Sequence, residues 1–255
     1  MTGPVWVDTH CHLTMIDDDP GAVLDRAVAA DVAWVMCPGV DLESSRRSRA
    51  VADANRDRVL WSAGLHPHEA NRWVLERDDI RRLAVDAAAI GECGLDYYRN
   101  LSPREDQLGA FRDQIGLGAE LGKPIIVHCR DAFSDVHDVV EESGAGEQVV
   151  LHCWTGGPRW TRRFLELGVT FSFAGPLTYS TGDTVRRGAA EVPPGRAIVE
   201  TDSPYLTPEP FRAQSNEPAR VGITGAALAE VWGLDVAEAA NLTSQRAASV
   251  FGVPP

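Results

Sequence analysis

The sequence predicts an α/β fold, a single (β/α)8 TIM barrel with C-terminal helices, on three observations. Short apolar, β-branched runs alternate with longer stretches of helical spacing, the pattern of a parallel sheet built from βα units. The alternation recurs roughly eight times along 255 residues, a chain length usual for one such barrel. Histidines and acids gather at the C-terminal ends of the runs, where a barrel collects side chains from distant parts of its chain.

Residues 5–8 form the first apolar run, and 22–30 carry the helical spacing after it. A second run at 33–37 leads into a helix expected over 42–55, and a third at 59–63 ends at Gly64-Leu65-His66-Pro67-His68. The fourth run, 89–92, ends on Glu92, with a long helix expected over 104–121 behind it. The fifth, 124–128, ends on His128 and is followed by helical spacing at 132–142. The sixth, 148–152, ends on His152, and Gly157-Pro158 then opens a helix over 159–167, because proline suits the first turn of a helix and not its interior. Runs seven and eight fall at 169–173 and 197–200. A proline-rich loop at 203–218 and helical stretches at 225–232 and 236–250 close the last unit. No linker, low-complexity tract or second core interrupts residues 1–255, so one domain is expected. The competing arrangement, an open doubly wound sheet, would carry a glycine-rich phosphate loop after the first strand. Asp8-Thr9-His10-Cys11-His12 stands there instead.

A net charge of −13 counts against a protein that coats long nucleic acid through a continuous basic face. A phosphorylated substrate stays compatible with it, since bound cations and local arginines such as Arg130, Arg159 and Arg212 would supply positive charge. Five cysteines, an odd number without small-scaffold spacing, fit a reduced chain and not a disulfide framework. With no apolar run long enough to span a bilayer and no basic, apolar leader at Met1, a cytoplasmic protein without a membrane role is expected. No feature sets an assembly state, and a monomer is compatible with the barrel.

The polar residues at the run ends are His10 and His12 after run one, Glu92, His128 and His152 after runs four to six, and Asp202 beyond run eight. Side chains alternate along a strand, so His10 and His12 form a pincer while Cys11 between them faces away. By the same alternation Cys93, Cys129 and Cys153 turn toward the helices as small buried residues, and Cys37 is read the same way. A shell of imidazoles and carboxylates without thiolate suits zinc, manganese, iron or nickel, with magnesium a less natural guest. The set exceeds what one tetrahedral ion needs, and a carboxylate able to bridge suggests two divalent metal ions. Any single histidine at a strand end is more often a core or loop residue than a ligand; the coincidence of all of them at one rim carries the reading. His66 is expected to face a phosphate, His68 to be structural, and His137, on the 132–142 stretch, to lie at the surface. Glu200, on the face of Asp202, is expected to orient ligands from behind. Serine-hydrolase, zincin and P-loop readings lack their motifs.

The chain resembles the TatD family of metal-dependent deoxyribonucleases among the amidohydrolase-type barrels. The resemblance rests on Asp8-Thr9-His10-Cys11-His12-Leu13, Gly64-Leu65-His66-Pro67-His68, Gly91-Glu92-Cys93-Gly94-Leu95-Asp96-Tyr97, and His128-Cys129-Arg130-Asp131-Ala132. His152-Cys153-Trp154-Thr155-Gly156 and Glu200-Thr201-Asp202-Ser203-Pro204 complete it, in family order and nearly end to end. It implies that His10, His12 and Asp202 hold one ion, that His128 and His152 hold the other, and that Glu92 bridges them. It also implies phosphodiester hydrolysis in DNA, single-stranded or at 3′ ends, with Asp202 and Glu92 catalytic and with His66 and Arg130 contacting phosphate. Asp202 would orient or deprotonate the attacking water. Two departures stand out. Phe211-Arg212-Ala213-Gln214-Ser215 replaces the basic stretch usual before Asn216-Glu217-Pro218, which implies a weaker or different grip on substrate, and Arg246 stands where the family usually has Asn.

Two other readings remain at this level. The same barrel suits hydrolysis of an amide, lactone or aminoacyl ester, although Glu92 in place of a lysine at strand four argues against members with a carboxylated lysine bridge. A non-catalytic protein that keeps its metals for stability is the third.

Overall fold

The computed structural model describes residues 5–253. Its strands are β1 (Trp6–Asp8), β2 (Val32–Cys37), β3 (Val59–Ala63), β4 (Ala89–Asp96), β5 (Ile125–Arg130), β6 (Val149–Leu151), β7 (Thr170–Phe173) and β8 (Ala197–Val199). They lie in sequence order in one eight-stranded sheet, each parallel to the next. Backbone bonds from Thr9 N–H to the Val199 carbonyl at 3.1 Å and from Asp202 N–H to the His10 carbonyl at 2.9 Å draw β8 back to β1, so the barrel is nearly closed.

The helices are α1 (Pro20–Ala29), α2 (Leu42–Ala54), α3 (Trp73–Ala84), α4 (Arg104–Leu121), α5 (Phe133–Ser143), α6 (Pro158–Glu166), α7 (Asp183–Ala189), α8 (Val221–Trp232) and α9 (Val236–Phe251). Their ends follow local chemistry. Asp19 caps α1 ahead of Pro20, Asp41 and Ser44 make a reciprocal capping box on α2, and Gly122 and Gly144 end α4 and α5 in the left-handed region. None of the described helices is long and apolar enough to cross a membrane.

Two apolar layers result. Val7, Trp34, Met36, Ala89, Ile126, Val150 and Ile198 fill the barrel interior, together with Ala247 and Phe251 of α9. Because Arg246 donates to Thr170, the first residue of β7, α9 covers the N-terminal end of the barrel. That leaves the opposite end as the mouth. The larger layer joins the outer strand faces to the helices, and each fully buried Leu, Ile or Phe in it contributes about 1.5–3 kcal/mol.

Strand alternation is plain in β5. Ile125, Val127 and Cys129 belong to the outer layer and Ile126 to the interior, so His128 shares the inner face. β4 departs from the sequence expectation, because it does not end at Glu92 but runs to Asp96. Its register against β5 shifts between Ile90 and Cys93, where Ile90 pairs with Ile125 and Cys93 with Val127. The extra residue is a bulge, and bulges re-aim side chains. Ala89 faces the interior and Cys93 the helices, so the bulge is what brings Glu92 onto the inner face. Gly91 and Gly94 flank it at φ 119° and 131°, a backbone region that side-chain-bearing residues avoid. A Cβ at Gly94 would also collide with the His128 carbonyl.

Candidate metal centre

Glu92 is 3% exposed and divides its two carboxylate oxygens between two groups of histidines. Oε2 lies 3.2 Å from His10 Nε2 and 3.7 Å from His12 Nε2. Oε1 lies 3.0 Å from His128 Nδ1, 3.2 Å from His152 Nε2 and 3.4 Å from His66 Nε2. Asp202 Oδ1 completes the first group at 3.4 Å from His12 Nε2 and 3.9 Å from His10 Nε2. His10 and His12 bring their Nε2 atoms to 3.3 Å, and His128 Nδ1 meets His152 Nε2 at 3.4 Å. Ligands about 2.0–2.2 Å from a tetrahedral ion stand about 3.3–3.6 Å apart. Both groups sit close to that spacing.

Behind these atoms stand carboxylates. His152 Nδ1 is 3.0 Å from Glu200 Oε1, and His128 Nε2 is 3.2 Å from Asp96 Oδ2. A carboxylate on the far ring nitrogen fixes the tautomer and makes the near nitrogen a better donor to a cation. Glu200 thus lies behind His152, on the ring nitrogen away from Glu92. Asp96 was not anticipated as a site residue, although it lies on the inner face of a β4 that continues past Glu92. It is fully buried, and His68 Nε2 also binds its Oδ2 at 2.8 Å. His68 is therefore tied to the centre through Asp96. The backbone N–H of His68 donates to His66 Nδ1 at 3.1 Å, which leaves the proton of a neutral His66 on Nε2, facing Glu92.

The donor set suits divalent cations. His10 and His12 turn equivalent nitrogens toward each other and toward one carboxylate oxygen, and their buried Nδ1 atoms meet no protein partner. Without a cation, protons must hold the cluster together. Burial resists charge on Glu92, yet the histidines around it, His152 first, hold its carboxyl well below the usual range. Burial likewise opposes charge on His152, but Glu200 and Glu92 outweigh it and carry the imidazole well above its ordinary value. His128 is raised against burial by its hydrogen bonds to Asp96 and Glu92. Asp202 is lowered against burial by His12 and the neighbouring histidine charge. Burial dominates at His66 and brings it down to about 4, so it is neutral at physiological pH.

Arg130 ends β5 on the inner-face register of His128 and stands exposed with its guanidinium 4.0 Å over the Tyr98 ring. Arg212 lies 3.8 Å over Tyr179 on the loop after β8, whereas Arg159 is exposed on α6 beside Trp160. Two expectations need correction. His137 is not a surface residue; at 4% exposure it sits on the apolar face of α5 with Val136, Val139 and Val140, its ring against Phe164. Cys93 and Cys129 do pack among the outer-layer side chains, but Cys153 does not. β6 ends at Leu151 and Cys153 takes φ 45°, so strand alternation no longer governs it. Burial first, then the carboxylates of Glu200, Asp202 and Glu92, push its thiol well above the ordinary value.

The family model described as "TatD related DNase" matches residues 7–252. The "Uncharacterized metal-dependent hydrolase YcfH" of Escherichia coli (strain K12) is 36% identical, over 97% of this chain and 96% of its own length. The "3'-5' ssDNA/RNA exonuclease TatD" of Pantoea ananatis (strain LMG 20103) is 32% identical, over 94% of this chain and 96% of its own. Among solved structures, the TatD homolog YJJV from Escherichia coli K12 superposes with a TM-score of 0.91 at 25% identity, covering 98% of both chains.

Proposed function

The chain belongs to the TatD family of metal-dependent hydrolases, and from that premise we propose that it trims single-stranded DNA from the 3′ end by phosphodiester hydrolysis at a two-metal centre. The observation that carries the reading is the division of Glu92, with one oxygen toward His10 and His12 and the other toward His128 and His152. In it His10, His12 and Asp202 would hold one ion, His128 and His152 would hold the second, and Glu92 would be shared between them. Divalent ions bound there supply Lewis-acid polarisation of the phosphoryl group and make water acidic enough to attack near neutral pH.

The remaining chemistry falls to the chain's own residues. Asp202, 14% exposed at its side chain, reaches the mouth and is kept ionised by His12 and the neighbouring histidine charge. It orients the attacking water and accepts its proton. His66, neutral with its proton on Nε2 3.4 Å from Glu92 Oε1, would donate to a phosphoryl oxygen in place of that carboxylate once cations engage it, without adding charge. Arg130 lies on the same register as His128 and offers the planar fork that suits a phosphate. Relatives that bear the name 3'-5' ssDNA/RNA exonuclease support the same substrate class.

The test is a single-stranded oligonucleotide labelled at its 5′ end, incubated with manganese- or zinc-loaded protein. Stepwise shortening that disappears in Asp202→Asn is expected. An intact oligonucleotide, with turnover only in a panel of amides and lactones, would replace this reading with hydrolysis of a non-nucleic substrate on the same barrel.

A further inference from the structure

Large aromatic side chains are normally drawn inward, since each withdraws much apolar area from water. Among the described residues the exposed aromatics are Tyr98, Tyr205 and Phe211, at 62%, 54% and 36%. All of them stand on loops at the mouth, Tyr98 after β4 and the others after β8. Tyr98 lies under the Arg130 guanidinium at 4.0 Å, and the Tyr205 ring meets His12 edge-on at 6.2 Å.

Both tyrosines ride on turns fastened to acids of the centre. The N–H of Tyr205 donates to the Asp202 carbonyl at 2.9 Å. Asn216, 1% exposed, donates through Nδ2 to the carbonyls of Tyr205 at 2.8 Å and Thr201 at 3.0 Å. Tyr98 is followed by Arg99, whose N–H donates to Asp96 Oδ1 at 2.7 Å, and by Asn100, whose N–H donates to the Asp96 carbonyl at 3.2 Å. The backbone that carries each exposed ring is therefore held by bonds that also set a carboxylate of the site.

We propose that Tyr205 and Tyr98 are stacking platforms for unpaired nucleobases, Tyr205 on the His12 side of the centre and Tyr98 on the Asp96–His128 side. The inference rests on the nucleic-acid reading above and assigns the residues that make it selective for single strands. Every base offers a π face, so such platforms tolerate any sequence, while bases paired in a duplex cannot leave their stack without cost. A chain of net charge −13 has little nonspecific attraction for a phosphate backbone, which leaves stacking a large share of the grip.

The experiment measures fluorescence anisotropy of metal-loaded protein with a short single-stranded oligonucleotide whose 3′ linkages are phosphorothioates that resist cleavage. A second oligonucleotide is identical but abasic at its 3′-terminal positions. Loss of the bases is expected to weaken binding to the unmodified protein about tenfold. Tyr205→Ala and Tyr98→Ala should each shrink that difference, and Tyr205→Trp should restore it. The inference is overturned if the unmodified protein binds both oligonucleotides alike or neither, or if the alanine variants discriminate as the unmodified protein does. Cleavage of an unprotected oligonucleotide is scored separately. Base-dependent binding without trimming supports the platforms and sinks only the nuclease reading; trimming without base discrimination does the reverse.

Discussion

The backbone N–H of Asp202 donates to the carbonyl oxygen of His10 at 2.9 Å, so one of the bonds that closes the barrel also joins two residues of the same proposed metal subsite. Closure and site geometry are coupled here. Asp8 reinforces the seam by accepting from Thr201 N–H at 2.9 Å and Thr201 Oγ1 at 2.6 Å. Thr201 immediately precedes Asp202, so the hydrogen bonds that hold β8 to β1 also fix the carboxylate.

Removing the shared carboxylate is the most direct test of the bridge. Glu92→Gln keeps the shape and removes the charge from a residue that faces five histidines. It should lower turnover by on the order of 10³-fold, corresponding to several kcal/mol of electrostatic stabilisation. Bound metal should fall as well, read by elemental analysis of the folded variant. Full activity in Glu92→Gln contradicts the bridging role.

The carboxylates behind the histidines carry a smaller prediction. Glu200→Gln and Asp96→Asn leave every proposed ligand in place but alter the partners of His152 Nδ1 and His128 Nε2. Metal affinity should drop about 10–100-fold in each, measured by competition with a chromogenic chelator while circular dichroism confirms the fold. Unchanged affinity would make these contacts purely structural.

Much of this centre was legible in the sequence, because strand periodicity places His128 and His152 from their position after apolar runs. The same rule fails where the backbone leaves the strand. Glu92 reaches the interior through a bulge that no residue pattern announces, although Gly91 and Gly94 mark the spot. Ending the run at Glu92 leaves out the continuation of β4 and with it Asp96. Cys153 escaped alternation for a related reason, since its strand stops two residues earlier. His137 was misjudged on a different ground. Its position on α5 is adjacent in sequence to Val136 and three residues before Val140, both buried, and helical spacing that includes it describes the buried face better than its polarity does. The exposed tyrosines were invisible, because burial is a property of the folded chain.

The glycines of β4 give a stability prediction. Gly94→Ala would force a Cβ against the His128 carbonyl at a φ of 131°. A loss of about 3 kcal/mol or more is expected in chemical denaturation, from backbone strain and overpacking together. A shift below about 0.5 kcal/mol, the scale of a neutral surface change, would show that the bulge relaxes freely.

Protons and metal should compete. In the metal-free protein His152 and His128 are raised above their ordinary value while Glu92 and Asp202 are lowered. Metal binding near neutral pH therefore releases protons from histidines and not from carboxylates, and affinity should weaken as pH falls. Calorimetry in buffers of different ionisation enthalpy reads the release directly. An affinity independent of pH between 6 and 8 contradicts it.

Stability of the metal-free protein should run the other way. A raised His152 contributes stability that is complete below its unfolded value near 6.5 and is lost as pH rises through the folded value. The lowered Glu92 contributes above its unfolded value near 4.5 and loses that contribution only as pH falls through its folded value. Chelator-treated protein should accordingly melt lower as pH is raised from about 6 to 9, with added manganese or zinc lessening the decline, while Asp8, pushed up to about 8 by burial, leaves a part of it that metal does not alter. Identical pH profiles with and without metal would detach these residues from cation binding.

The central claim is that two cations share Glu92, and anomalous diffraction from a manganese- or zinc-loaded crystal measures it. The account predicts two peaks about 3.5–4 Å apart, one against His10, His12 and Asp202 and the other against His128 and His152, with Glu92 between them. A single peak, or peaks that leave Glu92 uncoordinated, would contradict it.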